Sequence, residues 1–166
     1  MFDWWRKRRA APPIPEALWW AVLARYPFLA RRSAGDLERL RALAARFLHD
    51  KEFHGAGGLE ITDEIALSIA AQAVLPVLHL GLHWYDDFVG IVVHPGEVLA
   101  RRSATDEAGV VHEWKEALAG EAMDRGPVML SWHDVQAAGA VSASGYNVVI
   151  HEFAHKIDLR NGAADG

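Results

Sequence analysis

The chain has 166 residues, 51% of them apolar and 23% charged, the size and balance of one folded domain with enough length to bury a core. It contains no cysteine, which excludes disulfides, thiolate nucleophiles and cysteine-based zinc sites; any metal site must use histidine and carboxylate. The net charge of −5 is uneven, +5 over residues 1–50 and −10 over residues 51–166, and the acidic body argues against direct nucleic-acid binding.

Residues 1–14 read as a basic, proline-rich arm, and residues 15–166 as a single domain without repeats or low-complexity linkers. Arg6, Lys7, Arg8 and Arg9 follow Trp4 and Trp5. An arm for nucleic acid or an anionic surface is one reading, but a frayed, solvated terminus is the simpler one. Prolines 12, 13 and 15 follow the cluster where a secretory signal would need an apolar core. No run of about 18 apolar residues is present to span a membrane. The expectation is a cytoplasmic protein with no membrane association.

"IPEALWWAVLARYP" predicts a first helix, opened by Pro15 and stopped by Tyr26-Pro27. "SAGDLERLRALAARFLHDKEF" predicts a second, with Ser33 as N-cap. Its apolar face is Leu37, Leu40, Leu43, Ala44, Phe47 and Leu48, with arginines opposite. "ITDEIALSIAAQAVLPVLHLG" predicts a third, capped by Thr62, with Asp63 and Glu64 in its first turn and Pro76 to kink or end it. Val89 to Val93 form a strand pattern closed by Pro95-Gly96, and residues 126–135, "GPVMLSWHDV", a second short strand. "SASGYN" is a loop, and Asn147 can cap a last helix. The order predicts an α+β domain: a helical N-terminal half, a small sheet and a functional helix near the C-terminal end.

That last helix contains "NVVIHEFAHKID", in which His151, Glu152 and His155 spell His-Glu-x-x-His. Residues four apart share a helix face, so both imidazoles can reach one ion at about 2.0–2.1 Å, the zinc–nitrogen distance. Glu152 projects beside the metal, where it can take a proton from metal-activated water and pass it to a leaving amine. The pattern therefore points to metal-assisted peptide hydrolysis. Two histidines hydrogen-bonded on a helix face are the bland alternative. The polar loop before the motif and the candidate edge strand in "PVMLSW" favour the metal, since an edge strand can pair with a peptide backbone. His79 and His83 are also four apart, but Gly81 weakens a helix there and no glutamate follows His79, so this pair reads as structural. His94 and His133 lie near the predicted strands and carry no assigned role.

"NVVIHEFAHKID", with "GPVMLSW" and "AVLPVLHLGLHWYDDFVGIVVHPGE" ahead of it, resembles the Mlc titration factor A family from about Trp19 onward. The resemblance implies a zincin-like, cytosolic zinc metallopeptidase with aminopeptidase-like activity on small peptides. It makes His151 and His155 the zinc ligands and Glu152 the catalytic base. It also implies a protein partner, a glucose-responsive transcriptional repressor.

The family pattern adds a third ligand, a glutamate well downstream of the helix, whereas only 11 residues follow His155. A third histidine six residues after the second is excluded by Asn161, with Asp158 where that scheme needs glycine. Asp158 shares the histidine face but sits about 10.5 Å along the axis from His151. It is expected to orient His155 or anchor the following loop, and reaches the metal only if the helix ends and bends. Asp165 is a weaker candidate. The expectation is a chain truncated after the motif helix, with Val148, Val149, Ile150 and Phe153 left partly exposed. A non-catalytic, peptidase-like module that binds a regulatory protein is the alternative function.

Overall fold

Helix α1 (Glu16–Arg25) begins directly behind Pro15 and stops at Tyr26. Pro27 does not end helical structure, however. Its fixed φ suits a first helical position, and it opens a further short turn, α2 (Pro27–Ala30). The computed structural model describes residues 11–96, 126–140 and 147–160. The Arg6–Arg9 cluster, most of the "SASGYN" loop and Asp165 lie outside the described residues.

Helix α3 (Ala34–Asp50) has the expected cap, the Ser33 hydroxyl accepting the Asp36 amide at 3.2 Å. Leu40, Ala44, Phe47 and Leu48 are buried, and Leu37 and Leu43 pack at the margin of the core. The arginine face is more than a solvated surface. Arg39 donates to the Leu78 carbonyl, and Arg41 to that of Ile14 at 2.6 Å, so two arginines hold neighbouring segments. The helix also ends earlier than its sequence suggests. Phe53 belongs to strand β1 (Glu52–Gly55), whose four residues are too few to display an alternating pattern.

Helix α4 (Asp63–Ala73) is capped by Thr62, which accepts the Ile65 amide at 3.2 Å. Every residue from Ile65 to Ala73 is buried. A helix covered on all sides must be enclosed by others, and α4 is packed by α1 and α3 and by the two C-terminal helices described below. Ala66, Ala70, Ala71 and Ala73 keep its surface thin enough for that close approach. Pro76 acts as expected: the α-helix is over, and 3₁₀ turns follow at Leu75–Val77 and Leu82–Tyr85.

Strand β2 (Gly90–His94) fulfils the predicted strand, and β3 (Val128–Ser131) lies inside the second candidate. The sheet order is β1-β2-β3, with both pairs parallel, Phe53 opposite Ile91 and Ile91 opposite Val128. Parallel neighbours need a crossover, and α4 lies in the one from β1 to β2. The second candidate strand is shorter than predicted, because Trp132 opens helix α5 (Trp132–Ala140). Ser131 accepts the Asp134 amide at 3.3 Å, a helix-start signal inside an apolar stretch.

Helix α6 (Val148–Arg160) carries the motif. The expectation of an exposed apolar face fails at Val149 and Phe153, both fully buried. Helices α4 and α5, strand β3 and the 3₁₀ turns cover that face. Val148 packs against the core and Ile150 is half-buried. The architecture is α+β, six helices and a three-stranded parallel sheet among the described residues. No helix of these residues is long and apolar enough to cross a membrane.

Candidate metal and catalytic site

The start of α6 is fixed by one side chain with two partners. Asn147 accepts the Ile150 amide on its Oδ1 at 3.0 Å, and its main-chain carbonyl accepts the His151 amide at 2.9 Å. This is the predicted cap. The other end of the same amide donates to Gln72 Oε1 on α4 at 2.8 Å, and Gln72 in turn donates to the Ser68 carbonyl at 3.0 Å. Gln72 is fully buried.

The underside of α6 rests on aromatic rings. Phe153 sits 5.3 Å from Tyr85 and 5.7 Å from both Phe47 and Phe88, centroid to centroid. The Tyr85 hydroxyl donates to the Ala73 carbonyl at 2.7 Å, and burial pushes its phenol well above the ordinary range. Two buried lysines flank Phe88, with Nζ atoms 4.4 Å (Lys51) and 5.4 Å (Lys156) from the ring centroid. Lys156 also donates to the Gly126 carbonyl at 3.0 Å, which ties α6 to the chain entering β3. Burial lowers the pKa of Lys156, while Asp87 and Glu152 act to raise it.

The opposite face of α6 points outward. His151 and His155 are exposed, and their Nε2 atoms approach to 3.1 Å with the rings at 89° to each other. Two nitrogens of a tetrahedral set around one ion at about 2.0–2.1 Å stand roughly 3.3–3.4 Å apart. At 3.1 Å the two rings are within hydrogen-bond distance of each other, the alternative that the sequence leaves open, and the same separation is within a few tenths of an ångström of what a shared metal would set. Two imidazoles are suitable donors for zinc, and half-buried Glu152 lies between them in sequence.

The other sequence candidates separate from this pair. The helix runs unbroken to Arg160, so the bend that Asp158 would need to reach the metal is absent. His79 and His83 do not share a helix: Gly81, at φ +101°, lies between two separate 3₁₀ turns. His79 instead approaches Asp36 at 3.6 Å, and the ring of His83 lies 5.7 Å from that of Trp84. His94 ends β2 and His133 is exposed in the first turn of α5. Among the described residues, no group of three or more His, Cys, Asp or Glu side chains could hold a metal ion.

Residues 2–166 match the family described as Glucose-regulated metallo-peptidase M90. The chain belongs to this family. It is 38% identical to the Mlc titration factor A of Klebsiella pneumoniae subsp. pneumoniae over 162 residues, 98% of this chain and 60% of that one. Identity to the proteins of the same name from Enterobacter sp. and Salmonella arizonae is 36%, covering 98% of this chain and 60% and 63% of theirs. The chain thus spans about three-fifths of the length of these curated relatives.

In this M90 chain, periodicity and motif spacing did not single out Gln72, Lys51 or Lys156 around the motif helix. Gln72 had a readable signal, a large amide within the apolar run "IALSIAAQAV". Neither lysine did, since both look like ordinary helix-end charges until their surroundings are known.

Proposed function

We propose that the chain is the metal-binding part of a zinc-dependent peptidase of the zincin class, with His151 and His155 as two ligands and Glu152 as general base. The observation that carries this reading is the 3.1 Å approach of the two Nε2 atoms on a helix whose other face is clamped in the core. Zinc, when bound, polarises the scissile carbonyl and lowers the pKa of water. Glu152 accepts the proton of the attacking water and returns it to the departing amine. The exposed histidine face admits a peptide, and the buried face keeps both imidazoles in register. The resemblance implies an aminopeptidase-like preference for small peptides and a third ligand, a glutamate well downstream of the motif helix. A cytoplasmic setting suits a cysteine-free chain.

The relatives' name, Mlc titration factor A, supports a second role in contact with a transcriptional repressor. A purely non-catalytic binding module is favoured by one observation, that only two metal-ligating side chains come together among the described residues.

Zinc titration against a chromophoric chelator tests the site in the wild-type chain and in His151→Ala and His155→Ala. Binding of one equivalent that weakens in both variants is the expected result. Binding indifferent to either histidine, or no binding, would overturn the reading for this chain.

A further inference from the structure

We infer that the outer face of α1, with the arginines that follow it, is a docking surface for an anionic lipid membrane. Helix α1 is apolar on both sides. Trp19, Val22 and Leu23 are buried in the core, whereas Ala17, Trp20, Ala21 and Ala24 are exposed. At 3.6 residues per turn, those four fall within about 100° of the helix circumference. The only charges of α1, Glu16 and Arg25, mark the two edges of this arc, and Arg25 is paired with Glu64. Trp20 is 57% exposed, the largest apolar side chain so open among the described residues. A helix that is apolar all round is ordinarily covered on every side, so the outer arc of α1 suits a partner.

Charge identifies the partner. Arg31 and Arg32 follow α2 directly, both exposed, and neither pairs with a carboxylate among the described residues. Ahead of α1 in the sequence come Arg6, Lys7, Arg8 and Arg9, behind Trp4 and Trp5. The apolar arc is thus bracketed in the chain by two basic clusters. With +5 over residues 1–50 and −10 over residues 51–166, an anionic surface attracts the first part and repels the second. By the helical rise, the Cα atoms of Trp20 and Arg31 stand no more than about 20 Å apart, close enough to meet one membrane together. Tryptophan settles at headgroup level, its ring in an apolar setting and its N–H beside an acceptor, and each nearby arginine adds electrostatic attraction. A shallow apolar insertion beside a basic cluster gives reversible surface binding without a spanning helix, the feature whose absence argued against membrane association. A protein groove would ask for a shaped knob. The arc offers one ring among three alanines, which a fluid surface accommodates. A nucleic acid would use the arginines and leave the alanine face idle.

The test is co-sedimentation of the full chain with phosphatidylcholine vesicles, with and without about 30% phosphatidylserine. Wild type should bind the anionic vesicles and not the neutral ones, and added salt should release it. Arg31→Gln combined with Arg32→Gln should weaken binding about fivefold per arginine. Trp20→Ser should weaken it about tenfold, through lost apolar burial. Ala21→Glu keeps a helix former and puts an anion in the middle of the arc, and it should weaken binding at least as much. No binding to the anionic vesicles overturns the inference, as does equal binding to the neutral ones. Binding untouched by Trp20→Ser and Ala21→Glu also overturns it, since the arc would then play no part. Losses confined to the arginine variant, with equal retention of a short DNA duplex, assign the basic cluster to nucleic acid and overturn the membrane reading. All the substituted side chains are exposed, so the fold should survive, and urea unfolding checks this. Should one variant unfold, the others decide.

Discussion

Phe153 meets Phe47 edge to face, with centroids 5.7 Å apart and planes at 72°. The contact joins the motif helix α6 to the long helix of the N-terminal half, and its direction is set by spacing. A residue two positions from either histidine points to the opposite side of the helix. Phe153 is therefore buried for the same reason that His151 and His155 are exposed. Phe153→Ala should cost about 3–5 kcal/mol, the usual range for emptying an aromatic site. Urea unfolding measures this directly. Phe153→Leu should cost clearly less, and equal losses in the two variants would count against packing as the cause.

Lys51 is a buried cation held by main-chain oxygens. Its Nζ donates to the Tyr85 carbonyl at 2.5 Å and to that of Phe88 at 2.6 Å. Burial lowers its pKa, against the carboxylates of Asp50, Asp86 and Asp87, which act to raise it. The folded chain thus holds this proton less tightly than the unfolded chain does. Between the lowered folded pKa and the ordinary lysine value, the unfolded state binds more protons, so Lys51 makes stability rise with pH there and fall as pH drops through the folded pKa. Lys51→Met should remove that rise. At pH 7 it should also cost about 1–3 kcal/mol, because two enclosed carbonyls lose their donor. Urea midpoints for both proteins from pH 7 to 10 test the pair of claims. A wild-type-minus-variant difference that stays flat across that range would refute the linkage.

Gly96 closes β2 with φ at +97°, and a Cβ there would lie 2.1 Å from Ser131 Oγ and 2.8 Å from His133 Cβ. Gly96→Ala therefore meets both backbone strain and collision at the start of α5, with an expected cost of about 1–3 kcal/mol. Adding Ser131→Gly should recover part of the loss in a double-mutant cycle, since it relieves the hydroxyl clash and leaves the strain. Gly35, by contrast, has open space around it within α3. Gly35→Ala should be neutral or stabilising by up to about 1 kcal/mol, and thermal melts of both variants separate the two cases.

Capping chemistry made much of this fold legible. Ser33, Thr62 and Asn147 each accept the amide expected of an N-cap, because that bond depends on residues three positions away. Strand β2 was legible from its β-branched run. Strand β1 was not, since "EFHG" is too short to alternate and is held by pairing with residues far along the chain. The start of α5 was hidden by apolar neighbours that suit a strand equally well. At the site, the motif located His151, Glu152 and His155 because a helix turns spacing into geometry. Gln72 could not be placed from spacing, because its partner Asn147 reaches it only through the packing of α4 against α6.

Glu152 separates the catalytic reading from the binding one. It stands next to His151 on the outward part of α6, half-buried, and one turn before Lys156, whose ammonium it influences. Glutamine keeps its size and removes its basicity. Under the proposed mechanism, Glu152→Gln should leave zinc affinity within a few-fold of wild type, since Glu152 is not a ligand. Peptide hydrolysis should fall by about 10²–10⁴, the usual contribution of a positioned base. Chelation should abolish hydrolysis in wild type, and zinc should restore it. The pairing of retained metal with lost turnover is the informative outcome, measured by chelator competition and by release of a free amine from a short peptide. Turnover that survives Glu152→Gln would place the base elsewhere. If wild type shows no turnover while repressor binding survives both Glu152→Gln and chelation, the motif helix serves as a docking element, and the peptidase reading gives way to the binding one.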